Sequence, residues 1–287
     1  MYTTLTFFLL SLPTIINAQA GFSGLQVSRG ARPAAMADIG TAMINPETSN
    51  PAAIPIGNGR DYIFSHTSWV QNTEQENIDI ILRKPLKSWG IHVLNWRSED
   101  LEYRVGPSHN PLGSFGLYEL AFGLSHVRTI ENNIRAGTRI SLLRQGIYDH
   151  DATGWAIDFG ILHFVRPKHH WAISLLNFGQ ITPLDKVSTR LPTQIQIGLF
   201  SSFSQNIQTV FELHKMDNSE ATLHVGSAYQ INKKITLRCG YQTLENRMLS
   251  LGASIMLNNW HFDYSHQPFG ENLGQIHRIS LRMRSGQ

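Results

Sequence analysis

The chain of 287 residues holds a single cysteine, Cys239, so neither an intramolecular disulfide nor a cysteine-based zinc site can form. Charge is scarce as well: Asp, Glu, Lys and Arg make up 16 % of the chain, too little for a disordered polyelectrolyte. The 24 basic and 21 acidic residues are spread along the chain, which leaves no basic patch for nucleic acid. Beyond residue 20 no apolar run approaches the length of a membrane-spanning helix. Walker A, H-E-x-x-H and G-x-S-x-G patterns are missing too. Glycine, by contrast, is frequent (23 residues) and aromatics reach 10 %, a combination that leans toward β-structure.

Residues 1–20 carry no Asp, Glu, Lys or Arg and end in Asn17-Ala18-Gln19-Ala20, a small-residue cleavage pattern. The apolar stretch from Leu5 to Ile16 is too short to span a bilayer and reads as the core of a secretory signal peptide. No cysteine follows that site, which excludes a lipid anchor there. Residues 21–59 differ from everything after them. They are rich in Gly, Ala, Pro and Asn, show no sustained apolar period, and allow at most a short helix around residues 34–43.

From Arg60 to the end, short alternating segments follow one another between turn-forming residues, fourteen in all. In one, Ile134, Ala136, Thr138, Ile140 and Leu142 oppose Arg135, Gly137, Arg139, Ser141 and Leu143. Alternation alone does not say which face looks inward, but three observations do. Connections alternate between tight turns, such as Asn258-Asn259, and longer stretches such as 97–114 and 178–192, the asymmetry of outer-membrane barrels. All six tryptophans, Trp69, Trp89, Trp96, Trp155, Trp171 and Trp260, fall at predicted strand ends, where an indole meets both hydrocarbon and water. Finally, Arg135, Arg139, Arg238, Arg278 and Arg282, with Glu119, Asp158, Glu212 and Asp263, lie opposite the aliphatic face. An arginine facing lipid at the midplane costs about 2–4 kcal/mol, so that face is wet or internally paired.

These features predict an all-β chain: a transmembrane antiparallel β-barrel of about fourteen strands over residues 60–287, preceded by a plug-like segment. Its expected place is the cell outer membrane, with outer-membrane lipid around it. A Gly/Pro/Asn-rich segment cannot build its own core, so residues 22–57 are expected to fill the periplasmic end of the lumen. There Arg32 and Asn50 would meet carboxylates such as Glu119 or Asp158, with Arg135 and Arg139 as further lumenal contacts. In the last hairpin Pro268-Phe269-Gly270 forms a rigid turn with an aromatic at its tip, either plain loop chemistry or a contact for a protein partner.

Thirteen histidines invite a metal or catalytic reading. His169 and His170 are adjacent in a tight turn and diverge, Ser125 and His126 point to opposite faces, and His261 with Asp263 is only a two-ligand pair. No cofactor, metal or catalytic residue is assigned, and the chain reads as a non-enzyme.

Two stretches resemble the PorV/PorQ family of outer-membrane proteins, associated with the type IX secretion system and built on a FadL-like barrel. Gly30-Ala31-Arg32-Pro33-Ala34-Ala35-Met36 with Asn50-Pro51-Ala52-Ala53-Ile54 is similar to that family's N-terminal segment. Phe262-Asp263-Tyr264-Ser265-His266-Gln267-Pro268-Phe269-Gly270, followed by residues 273–281, is similar to its last hairpin. The chain departs from the pattern at Ala37-Asp38, at Ile44-Asn45-Pro46-Glu47 and at its non-aromatic end, Arg284-Ser285-Gly286-Gln287. The compact loops look more like the PorQ branch. The resemblance implies a non-enzymatic barrel that scaffolds or anchors components of a type IX-like secretion and surface-attachment machinery, with protein partners from that complex. The alternative is a FadL-like transporter of hydrophobic or small solutes, consistent with the charged lumen.

Overall fold

Period-two alternation gives strands because successive side chains of an extended chain point to opposite faces. The computed structural model describes residues 21–104, 106, 110–217, 219–244, 247–270 and 273–286; the predicted signal peptide lies outside them. Fourteen strands follow in order: β1 Gly59–Ser68, β2 Thr73–Lys84, β3 Lys87–Tyr103, β4 Gly113–Glu131, β5 Ile134–Ile147, β6 His150–Arg166 and β7 His169–Ile181, then β8 Gln194–Ser202, β9 Ile207–Met216, β10 Ala221–Gln230, β11 Ile235–Gln242, β12 Leu249–Leu257, β13 Trp260–Pro268 and β14 Gln275–Ser285. Each pairs antiparallel with its sequence neighbours, and β1 closes on β14 in a register running from Arg60 opposite Ser285 to Ser68 opposite His277. The sheet is a sealed cylinder, so no edge strand carries unpaired backbone groups into a bilayer. Among the described residues no helix is long and apolar enough to cross a membrane.

The polarity of the wall is inverted relative to a water-soluble core. On β5, Ile140 and Leu142 are 57 % and 64 % exposed while Arg139 between β4 and β6 is 5 % exposed. The same holds around the barrel: Phe122, Leu251 and Ile279 face outward, whereas Glu119, Ser250 and Arg278 are buried inside. Such a surface is stable only against hydrocarbon.

One rim carries connections of two to four residues; the other holds the longer ones, from 104–112 to 182–193. The wall is also uneven in height. Strands β3, β4 and β6 reach 17 to 19 residues, against 8 to 11 for β8 to β14, so one side stands well above the level needed to cross. The stretch 97–114, expected as a loop, is half strand: β3 continues to Tyr103 past a bulge between Ser98 and Leu101, with Asp100 left-handed at φ 58°, and β4 starts at Gly113. This shifts one tryptophan. Trp96 lies mid-strand and faces the lumen, 5 % exposed, and Trp69 turns inward beside it. Trp89, Trp155, Trp171 and Trp260 are the four on the outer surface.

Residues 21–58 lie inside the cylinder. They begin near the long-loop rim, where the Gly21 N–H donates to the Arg190 carbonyl, and leave at the short-turn rim, where the Gly57 N–H donates to the Lys84 carbonyl. Between these ends are a four-residue helix, α1 (Ala31–Ala34), and two tight helical turns, Ser23–Gln26 and Pro51–Ala53. Met36, Ile39, Ala42, Met43, Ala52 and Ala53 pack against Leu162, Ala172, Val210 and Ala228 of the wall.

Candidate functional site

A segment this poor in regular structure has few internal partners for its backbone, and the wall supplies them. Two barrel carboxylates each grip a run of amides. Glu119 accepts from the N–H groups of Ser23 and Gly24 at 2.9 and 2.7 Å, and Gln145 steadies it at 3.0 Å. Glu212 accepts from Gly40, Thr41 and Ala42 at 3.1, 2.8 and 2.7 Å, with His214 Nε2 at 2.8 Å. The Ser280 and Ser250 hydroxyls take the amides of Ala31 and Ala37. His170 and His224 contact the carbonyls of Ala42 and Ala37 at 2.7 and 2.6 Å, so two of the histidines serve as backbone anchors. Among the described residues no cluster of three or more potential metal ligands occurs.

Close approach of plug to wall requires glycine on the lumenal face. A Cβ on Gly240 would lie 2.3 Å from the Ala37 nitrogen, and one on Gly137 2.4 Å from the Pro51 carbonyl carbon. Both obstacles are backbone, which cannot move aside as a flexible side chain can.

Ion pairs complete the grip. Arg29 binds Asp79 at 2.8 Å, and His92 shares that carboxylate at 2.6 Å. Asp38 sits at a left-handed kink, φ 59°, directly after Ala37 at φ 63°. It accepts from Ser28 at 2.6 Å and lies 3.2 Å from Arg247 and 3.8 Å from Arg278. Burial alone would raise its pKa, but Arg247 and then Arg278 outweigh burial and hold the carboxyl at about 2.

Arg32 is inside the lumen, but its partner is Asp263 at 2.9 Å, not Glu119 or Asp158. The reason is the plug's path: α1 runs along β12 to β14, across the lumen from β4 and β6. Burial opposes charge on Arg32; Asp263 and then Glu47 overcome it and keep the guanidinium above its ordinary pKa. Asn50 meets no carboxylate either. Its side chain accepts from the Ala52 N–H and donates to the Thr41 carbonyl, both at 2.9 Å, capping the Pro51 turn. Arg139 and Asp158 form a wall pair at 3.3 Å, and Arg139 also donates to the Thr48 carbonyl at 3.0 Å. Arg135 lies near the short-turn rim with its guanidinium over the Phe164 ring. Pro268 and Gly270 are exposed, while Phe269 folds edge-on against Trp69, with ring centres 5.8 Å apart. Sequence reasoning placed Glu212 and Asp263 on the lumenal face without singling them out; Asp38, Asp79 and Arg247 were missed altogether.

Above the plug, on the long-loop side, lies a chamber of about 1190 Å³. Trp69 and Phe269 stand at its mouth, where Trp96 meets Trp69 edge-on at 5.4 Å and the guanidinium groups of Arg247 and Arg278 lie 5.3 and 5.5 Å from the Trp69 ring centre. Its walls mix apolar side chains (Leu94, Leu176, Met216) with polar ones (His92, Arg139, His214), and its floor is plug: Arg29, Asp38 and Glu47. In volume and lining such a room is suited to a small molecule with an apolar body and a polar group.

A sealed sheet of fourteen antiparallel strands, an outward aliphatic face and a filled, charged lumen define a closed β-barrel of the outer-membrane kind. Solved structures with this architecture include the CymD monoaromatic hydrocarbon channel, 13 % identical with a TM-score of 0.67, covering 93 % of this chain and 99 % of that one. The Pseudomonas putida toluene transporter TodX is 11 % identical with a TM-score of 0.68, covering 90 % and 99 %. A Pseudomonas aeruginosa FadL homologue is 10 % identical with a TM-score of 0.60, covering 90 % and 98 %. No protein-family model and no curated protein matches the sequence. The likeness bears out the FadL-like barrel expected from sequence and lends no support to the PorV/PorQ assignment.

Proposed function

We propose that the protein carries small hydrophobic or amphipathic solutes across the outer membrane, without chemical change. The observation that carries this reading is the chamber above the plug: a solute-sized, partly aromatic room on the long-loop side whose floor is the plug. Similar barrels include channels for monoaromatic hydrocarbons and toluene, which favours transport over scaffolding. The charged lining distinguishes this chamber from a purely apolar one and points to solutes that carry a polar group.

Trp69 and Trp96 make the reading testable by fluorescence. Titrating the detergent-solubilised barrel with aromatic alcohols and acids is expected to give saturable quenching that Trp69→Phe reduces. Proteoliposome uptake of the same solutes is expected to exceed that of empty vesicles. Absence of both quenching and uptake across such a panel would overturn the proposal. The scaffold reading, with type IX partners, rests on the motif likeness of residues 30–54 and 262–281. Copurification of secretion components from solubilised envelopes is its test.

A further inference from the structure

A second, smaller cavity of about 210 Å³ lies at the opposite, short-turn end of the lumen. Five cationic side chains line it (Arg32, Lys233, Lys234, Arg238 and Arg282), together with His261, and no carboxylate does. Asp263, just behind, is already shared by Arg32 at 2.9 Å and Arg238 at 3.5 Å. Arg282 is only 6 % exposed, its Nε has no hydrogen-bond partner, and among the described residues its one side-chain hydrogen bond is to His261 Nδ1 at 3.0 Å. Among the described residues no carboxylate lies within ion-pair distance of Arg282, Lys233 or Lys234. Asp61 and Asp263 act on Arg282 only at longer range, and a guanidinium buried with no counter-charge in contact is disfavoured unless something supplies one.

We propose that this rim cavity is a binding site for a phosphate group. A guanidinium fork matches phosphate oxygens in pairs, while the two lysines on the β10–β11 turn add mobile point charges. The surplus of cations over carboxylates suits a dianion better than a single carboxylate. The volume takes a phosphoryl group with a small substituent and is too small for a whole lipid. Two sources share this chemistry: a free phosphate or phosphomonoester from the periplasmic side, and the headgroup of a phospholipid in the adjacent leaflet. The site is separate from the chamber above the plug and stands whether or not that chamber carries solute.

The test uses the full barrel in neutral detergent. Inorganic phosphate, titrated calorimetrically in 0.15 M NaCl, is expected to bind saturably, and Arg282→Gln to weaken binding about tenfold, as loss of charge-assisted hydrogen bonds implies. Lys233→Gln with Lys234→Gln, on an exposed turn that leaves the wall intact, is expected to weaken it several-fold. In parallel, barrel extracted from phosphatidylglycerol bilayers is examined by native mass spectrometry. Phosphate binding alone assigns a free ligand; a retained lipid lost in both variants assigns a headgroup. Neither binding nor retention in the parent, or equal binding in parent and both variants, would overturn the proposal.

Discussion

Removing the Glu212 carboxylate is expected to loosen the plug more than any other single change in the wall. Glu212→Ala leaves the amides of Gly40, Thr41 and Ala42 without an acceptor in a site where Glu212 itself is 1 % exposed. A stranded buried donor costs about 1–3 kcal/mol, and water entering the vacated space recovers part of that. A net loss of about 3–5 kcal/mol in plug docking follows, or roughly a hundredfold to several-thousandfold more opening at about 1.4 kcal/mol per decade. Glu212→Gln keeps Oε1 for Thr41 and Ala42 and loses mainly the Gly40 bond, so about 1–2 kcal/mol is expected. Hydrogen exchange of residues 38–43, read by mass spectrometry, measures this opening directly. The barrel's gel shift on heating reports separately whether the wall is intact. Unchanged protection of these amides in Glu212→Ala, with an intact wall, would refute the idea that the carboxylate holds the plug.

Three further outcomes follow from the same geometry. Gly240→Val places a side chain against the Ala37 backbone and is expected to expel that part of the plug, seen as higher single-channel conductance in planar bilayers. Asp38 contributes docking energy that is fully present above the usual aspartate pKa and is lost as pH falls through about 2. Plug protection is therefore expected to decline between about pH 4 and pH 2, and Asp38→Asn to remove that step. Ile140→Arg, on the outward face near the middle of β5, is expected to lower refolding stability in lipid vesicles by about 2–4 kcal/mol, measured by urea titration.

The parts of the fold legible in sequence are those where bilayer physics acts on every residue. Alternation from Ile134 to Leu143 reads unambiguously because one face must be oily and the other must not. Above the membrane that constraint ends. Arg97, Ser98, Glu99 and Asp100 lie in a strand with water on its outer side, so the pattern fades and the hairpin looks like a loop. Trp96 was misplaced for that reason. The lumenal arginines were recognisable as lumenal, yet Arg32's partner was not, because pairing depends on where the plug crosses the lumen. Glu119 and Glu212 were visible as inward carboxylates. Their role as acceptors of successive backbone amides has no sequence signature, since the groups they bind are common to every residue.

The plug runs from Gly21 at the outer rim to Gly57 at the inner, folding back between them from Arg32 near the inner end to Asp38 beside Arg247, and it touches wall strands all round the barrel, β1 and β2 included. Pushing such a chain lengthwise through a finished cylinder would strip and remake every amide contact in turn. Curling the sheet around it before β1 and β14 zip together requires no threading. The seam between those two strands is thus the natural last step of biogenesis, and its timing decides whether the interior is occupied.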